Sequence, residues 1–261
     1  MLVYIRGAGS VATGIAVRLH RAGCRIIMSE REYPLALRRS LCFSEARRNG
    51  TAEVEGITAC FARDVDKAVD ALRAEQIALV VDPEGKLCES LPFDACVDAS
   101  FSSKKLRFTE DDELTLVGVG PDFTPGTDCH AAVETRPMGE LGRAFYKGEN
   151  MRPKGLLDDR SEPEQCLLQV PGEGLFYPVC EIGDTVTRGE TLAVVDTEPV
   201  VAPEAGILMG ILPEGTPVKE GCYCAEISGR RNRADLQRLS EEALAIGGGV
   251  LEAILHDRDV I

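Results

Sequence analysis

Between Gly118 and Arg136 the chain reads GVGPDFTPGTDCHAAVETR, a run of glycines, prolines, acids, threonines, one cysteine and one histidine. Such a mixture packs a core poorly, but it can wrap backbone amides and a few reactive groups around a small ligand. Cys129 is the candidate for covalent or metal chemistry, as a thiolate activated by the loop amides or by Arg136. Its neighbour His130 would point to the opposite face of a strand, so the two cannot act as a thiolate–imidazole pair. The stretch therefore reads better as a ligand cradle, with Asp122, Thr124, His130 and the amides of Gly118, Gly120 and Gly126 as polar contacts. HExxH, GxSxG and Walker patterns are absent, which leaves hydrolase and kinase readings without support.

A second set of residues lies at the start of the chain. Leu2–Ile5 is an apolar run that breaks at Arg6-Gly7-Ala8-Gly9-Ser10-Val11-Ala12 and passes into apolar residues at helical spacing up to His20. This is strand, glycine turn, helix. Gly7 and Gly9 permit the tight turn and the close approach of a phosphate to the backbone, Ser10 lies in the same turn, Ala12 fills the third small position, and the helix N-terminus supplies free N–H groups. A further strand over residues 23–28 closes at Ser29-Glu30, which places Glu30 where a dinucleotide fold carries the acid for a ribose hydroxyl. Arg38 and Arg39 follow, within reach of a ligand phosphate on this reading. The spacing thus expects a small phosphate-bearing ligand, with NAD(P) one form of it.

These residues need elements to hold them. Helix is expected over 44–50 and 65–74, and strand over 54–60, 77–82, 93–100, 114–119 and 130–135. The run 141–146 fits either. The order describes an α/β, Rossmann-like sheet, with residues 1–82 as its nucleotide- or phosphate-binding half and 83–149 as a second part carrying the Gly118–Arg136 loop. The ends of its strands, Asp98 among them, would meet the ligand crevice. Residues 150–165 are polar, with Pro153, Gly155 and Pro163, and read as a linker.

An internal repeat follows. Residues 170–195 superpose on 202–227 with a fixed offset of 32, keeping Pro171/Pro203, Gly174/Gly206, Gly183/Gly215, Val186/Val218, Gly189/Gly221 and Ala193/Ala225 in register. Each copy has the pattern of a half-barrel that pairs with the other, so residues 166–229 resemble the all-β barrel-sandwich hybrid of biotinyl and lipoyl carrier domains. Those domains expose a lysine midway between the halves. Here the midpoint is Asp196-Thr197-Glu198-Pro199, so the resemblance implies neither biotin nor lipoate, and the module reads as a structural or docking piece. In the tail, 230–261, Gly247-Gly248-Gly249 separates two helical runs and reads as a helix break or a second phosphate-binding turn.

Composition sets the outer limits. The formal net charge of −14 argues against a nucleic-acid partner, which requires a basic footprint. The charge is uneven: the first fifty residues hold nine arginines against three glutamates, so a local anion site is consistent with an acidic protein. No apolar run approaches the roughly 20 residues of a membrane span, so no membrane partner and a cytoplasmic location are expected. The ten cysteines lack the spacing of a disulfide framework or of paired zinc ligands, and most are expected to be reduced, buried hydrophobes. No metal site is assigned, the closest pair being Cys222-Tyr-Cys224.

Together RGAGSVATGIAVRLHRAG, CFSEA at Cys42–Ala46, VGVGPDFTPGTDCHAAVET and AIGGGVLEAI resemble the selenium-dependent molybdenum hydroxylase maturation family of the YqeB type, over essentially the whole chain. The resemblance extends to the XdhC/CoxI-type accessory proteins of xanthine dehydrogenase. It implies an accessory factor that binds molybdenum cofactor, or a nucleotide or pterin phosphate, and assists its modification or insertion into a molybdenum hydroxylase apoprotein. Ser10 stands where similar proteins carry an acid. An NAD(P)-dependent oxidoreductase and a non-catalytic docking protein are the alternative readings, and a homo-oligomer is compatible with all three.

Overall fold

Leu2–Arg6 forms strand β1, and Val3, Tyr4 and Ile5 are all fully buried. Burial on both faces is what a parallel strand in the middle of a sheet requires, and it explains a continuous apolar run without alternation. The computed structural model describes residues 1–110, 113–137, 139–149, 165–229 and 233–257. The linker expected over 150–165 lies, apart from Gln165, outside the described residues. The chain divides into two units, one of Met1–Glu32, Phe43–Asp158 and Leu239–Ile261, the other of Tyr33–Cys42 and Asp159–Arg238.

The first unit continues with α1 (Ser10–Arg21), β2 (Arg25–Glu30), α2 (Ala46–Asn49), β3 (Thr51–Val54), β4 (Ile57–Phe61), α3 (Val65–Arg73) and β5 (Ile77–Val81). Then come α4 (Lys86–Ser90), β6 (Ala95–Asp98), β7 (Thr115–Val119), β8 (Ala131–Val133) and β9 (Ala144–Tyr146). The strands form one sheet in the order β3-β4-β5-β2-β1-β6-β7-β8-β9, parallel throughout except for the antiparallel edges β3 and β9. The 1–82 and 83–149 parts therefore share a single sheet. One face carries Tyr4, Ile27, Val80, Cys96, Leu116 and Ala132, on which Ala68, Ala71, Leu106 and Phe123 pack.

Two expectations for this unit change. The alternation over 54–60 is not one strand but a hairpin, because Glu55 (φ 50°) and Gly56 (φ 79°) both adopt left-handed backbone and close the two-residue turn between β3 and β4. The glycine triplet is neither a break nor a phosphate turn. It lies inside one helix, α5 (Glu241–Asp257), which packs on α1 and on β7, β8 and β9. Small residues let the backbones meet: a Cβ on Gly14 would lie 2.6 Å from the Ala243 carbonyl oxygen, and one on Gly249 would lie 1.9 Å from that of Gly142.

Cys88 and Cys96 are joined by a disulfide that ties α4 to β6, and the other eight cysteines are not disulfide-bonded. Their spacing resembles no framework, and only the short crossover from β5 to β6 brings them together.

In the second unit the strands are β10 (Gln165–Gln169), β11 (Gly174–Pro178), β12 (Thr185–Val186), β13 (Thr191–Val195), β14 (Glu198–Val201), β15 (Gly206–Ile211), β16 (Thr216–Val218) and β17 (Tyr223–Ser228). They form two four-stranded antiparallel sheets, β10-β17-β15-β12 and β14-β13-β11-β16. Advancing β10, β11, β12 and β13 by 32 residues gives β14, β15, β16 and β17, so the repeat exchanges the two sheets strand for strand. Pairing follows the same rule. Gly174↔Val218 becomes Gly206↔Val186, and the bulge at Thr191/Ala193 opposite β14 recurs at Tyr223/Ala225 opposite β10. Each copy lends two strands to the sheet of the other, β10 and β12 flanking β17 and β15, and β14 and β16 flanking β13 and β11, and their inward residues fill a common core that includes Phe176, Leu192, Val195, Leu208, Ala225 and Ile227.

The chain is thus a mixed α/β protein with one large, mainly parallel sheet and two smaller antiparallel sheets.

Candidate functional site at the ends of the parallel strands

The carboxyl ends of β2, β1, β6, β7 and β8 lie in a row, and the change of direction in strand order falls between β1 and β6. That is where open parallel sheets carry their ligands. Gly7 (φ 107°) makes the turn there, and a Cβ on it would meet the Ala99 carbonyl oxygen at 2.7 Å. Gly9 differs from Gly7. Its φ is −71°, which any residue adopts, and a Cβ on it would meet nothing within 4 Å. Neither conformation nor packing requires a glycine at Gly9; its lack of a side chain leaves open space at the mouth of α1.

That helix begins without a side-chain cap or an acid in its first turn. Its first intrahelical bond runs from Thr13 N–H to the Gly9 carbonyl at 2.8 Å, so the N–H groups of Ser10, Val11 and Ala12 precede the ladder. With the positive end of the helix dipole they form an anion-attracting end. Glu30, at the end of β2, accepts a hydrogen bond from Ala8 N–H at 3.2 Å and from Arg31 N–H at 2.8 Å. The structure therefore gathers Gly7, Gly9, Ser10, Ala12 and Glu30 at one turn.

Beneath the turn Arg6 and Asp98 form a buried ion pair at 3.0 Å, both nearly inaccessible. Arg6 also donates to the carbonyls of Pro83 and Lys104, and Asp98 accepts from Ser100 and from Leu106 N–H. With its partners satisfied the pair is a brace for the strand ends, and removing one member would strand a buried charge at a cost of about 3–5 kcal/mol. Asp98 is thus used structurally.

The Gly118–Arg136 stretch is divided. Because β7 and β8 are parallel, residues 120–130 must return from one edge of the sheet to the other, and they do so across the face that carries Tyr4 and Leu116. Gly120 (φ 111°) stays at the carboxyl edge, beside the Phe101 ring and Thr135. Gly118 serves packing: a Cβ there would lie 2.2 Å from the Phe123 ring, which crosses over it. Gly126 turns the return segment against the Lys147 side chain. Thr124 N–H donates to Asp128, Lys105 binds Asp128 at 2.6 Å, and Lys105 also reaches the Asp122 carbonyl, so these groups fold the loop on itself.

His130 sits at the opposite end of the sheet. Its Nδ1 accepts from Leu116 N–H at 2.9 Å, which leaves Nε2 to donate to the Glu110 carbonyl at 3.3 Å, and Phe108 packs edge-on against the ring. It is a backbone clamp, not a contact in the crevice. Cys129 is fully buried, and burial pushes its thiol up to about 12, so it stays protonated at neutral pH. The reading of Cys129 as a reactive thiolate does not survive this environment. At the end of β8, burial pushes the Glu134 carboxyl up, but hydrogen bonds from Arg136 and from Thr135 N–H outweigh it and hold the group below its ordinary value.

Arg38 and Arg39 belong to the second unit. Arg38 pairs with Glu226, and Arg39 Nε donates to the Ile211 carbonyl at 2.8 Å. Among the described residues no three His, Cys, Asp or Glu side chains gather to hold a metal ion, and no helix is long and apolar enough to cross a membrane.

One residue of the edge carries no sequence signal of its own. Phe101 follows β6 with left-handed backbone (φ 53°), the residue is 61% exposed, and its ring lies next to Gly120. A phenylalanine held in this conformation costs on the order of 1–3 kcal/mol, and such strain clusters at binding sites. Its aromatic face is available for stacking.

No family model matches the chain. Among solved structures it is similar to the ectoine utilization protein EutE (DoeB) from Ruegeria pomeroyi, at 26% identity over 32% of this chain and 28% of that one, with a TM-score of 0.23. An aspartoacylase family protein from Mesorhizobium loti matches at 12% identity over 79% of this chain and 58% of that one, with a TM-score of 0.24. Scores this low say nothing of fold or function. Among curated proteins the chain is 35% identical over 257 residues to the uncharacterized protein YqeB of Escherichia coli (strain K12), a match that covers 97% of this chain and 47% of YqeB. The chain is thus similar to that protein along nearly all of its own length and spans about half of that relative's length.

Proposed function

We propose that the first unit binds a phosphate-bearing heterocyclic ligand at the Gly7–Ala12 turn. The observation that carries this reading is Gly9, a side-chain-free position with open space at the uncapped start of α1. A phosphate in that space meets the N–H groups of Ser10, Val11 and Ala12. Glu30 is the acceptor for a ligand hydroxyl, and Phe101 offers a face on which a flat ring stacks. We read the large sheet as Rossmann-like from its strand order, and the paired small sheets as a barrel-sandwich hybrid from the exchange of strands by the repeat.

The resemblance to the molybdenum hydroxylase maturation family, with its selenium-dependent enzymes and its XdhC/CoxI relatives, supplies the class of ligand: molybdenum cofactor, or a nucleotide or pterin phosphate. The turn fits the phosphate end of that cofactor. Cys129 does not fit a metal-holding role, since its side chain is fully buried in the packed face that holds Leu116 and Phe123. On this reading the protein is a cytoplasmic accessory factor that holds the cofactor by its phosphate and ring and presents it to a hydroxylase apoprotein. An NAD(P)-dependent oxidoreductase is the second reading, favoured by the placement of Glu30 against the turn.

Calorimetric titration of the whole chain under anaerobic conditions with molybdenum cofactor, NADH, NADPH and ADP tests both. Binding of the cofactor is expected, weakened at least tenfold by Gly9→Val and severalfold by Phe101→Ala. Binding of NADH alone would move the assignment to the oxidoreductase. Absence of heat with all four ligands would overturn the site.

A further inference from the structure

The 32-residue repeat makes the two small sheets comparable position by position, and their outer surfaces are treated differently. Over the middle of the β10-β17-β15-β12 sheet the chain covers itself, while Leu167 and Tyr223 on its β10 side stay exposed. Gly210 and Glu226 lie side by side; a Cβ on Gly210 would lie 2.6 Å from Leu37, and Glu226 is met by the Arg38 guanidinium. The segment Tyr33–Cys42, inserted from elsewhere in the sequence, thus lies on that surface, and Met209 is fully buried.

On the β14-β13-β11-β16 sheet the equivalent positions are Val194 for Glu226 and Tyr177 for Met209. Phe176 and Val195 point inward to the core, so their neighbours face outward. Leu175, Tyr177, Val179 and Val201 are 43%, 41%, 62% and 46% exposed, and Pro199 and Pro217 are exposed beside them. Solvated sheet faces are ordinarily polar, and a contiguous apolar surface on a folded protein marks a place of contact. No charged residue interrupts these outward positions. The charges stand around them: Glu173, Asp196, Glu198 and Glu214 are exposed in the flanking turns or at a strand start, and none forms an ion pair among the described residues.

The charge selects the occupant. Residues 165–229 hold ten acids against two bases. A second copy would bring the same acids to the same rim, so pairing of two such faces opposes like charges. A surface with lysine or arginine around an apolar strip gains on both counts. We propose that the outer face of the β14-β13-β11-β16 sheet is a docking surface for a partner protein whose contact strip is apolar and flanked by basic side chains. This does not depend on the ligand assigned to the first unit.

The test uses the full chain and two fluorescently labelled twelve-residue peptides, one alternating leucine with lysine, the other leucine with glutamate. Fluorescence anisotropy is expected to show salt-sensitive binding of the lysine peptide and none of the glutamate peptide. The double variant Tyr177→Ser/Val179→Ser and the double variant Glu173→Lys/Glu198→Lys should each weaken binding at least tenfold. Tyr223→Ser, a change of an exposed tyrosine on the other sheet, should leave it unchanged. Circular dichroism melting of each variant checks that it folds, and the two doubles fail independently if either is misfolded. Equal binding by wild type and Tyr177→Ser/Val179→Ser would reduce the attraction to net charge and overturn the proposal. A dimer in sedimentation velocity that the same double variant dissolves would overturn it also, by making a second copy the occupant.

Discussion

Replacing the glycines of the 247–249 triplet one at a time separates a helix that breaks from one that packs. Gly248 is exposed and a Cβ there meets nothing within 4 Å, whereas a Cβ on Gly249 would lie 1.9 Å from the Gly142 carbonyl oxygen and 2.9 Å from its carbon. Both sit inside α5, so each change to alanine gains the same helix propensity, about 0.8–1 kcal/mol. For Gly248→Ala nothing opposes that gain, and stability should rise by about 1 kcal/mol. For Gly249→Ala the obstacle is backbone, which cannot turn aside as a side chain can. Either α5 or the Gly142 turn must move, at a cost of about 3 kcal/mol or more for overpacking a tight contact, leaving a net loss of roughly 2 kcal/mol. Urea unfolding followed by circular dichroism reads both values. Loss of stability in both variants to a similar extent, or none in either, would refute the continuous, closely packed helix and return the triplet to a break or turn.

Two further expectations concern the residues around the strand ends. Cys129 should resist iodoacetamide in the folded protein at pH 8 while the more accessible Cys180 and Cys222 react, as peptide mass spectrometry would report; early labelling of Cys129 would contradict a thiol held protonated by burial. The Glu134 carboxyl lies below its ordinary value in the folded chain, so its contribution to stability is complete above the unfolded pKa of about 4.3 and is lost as the pH falls through the folded value. Wild type and Glu134→Gln should therefore differ in urea midpoint at pH 7 and converge toward pH 3, and a gap of constant size would count against the Arg136 bonds as its cause.

The strand, glycine turn and helix at the start were legible because their determinants are local: an apolar run, small residues at fixed offsets, and helical periodicity. The repeat was legible for a related reason, since its identities keep one register over two copies. What could not be read depends on distant contacts. Gly118 looks like a ligand glycine in sequence, and only the crossing of Phe123 above it reveals packing. His130 and Leu116 are fourteen residues apart, and their bond exists because β7 and β8 are parallel. Tyr33–Cys42 follows β2 directly, yet Leu37 and Arg38 pack on strands of residues 206–228. The Glu55-Gly56 turn carries a weak signal, because glutamate is an uncommon choice for a left-handed position, where asparagine or aspartate is the usual one. Phe101 carries strain that no sequence pattern marks. The candidate site is accordingly a turn, an acid and an exposed ring on neighbouring strand ends, and not the nineteen-residue loop.

The most direct test of that site is native mass spectrometry of the protein purified without oxygen, beside Gly9→Val prepared in the same way. The wild type should carry a bound mass that releases a phosphate-containing heterocycle on denaturation, and Gly9→Val should lack it. A wild-type spectrum with the bare chain alone, after incubation with molybdenum cofactor and with NADH, would contradict the assignment of the Gly7–Ala12 turn.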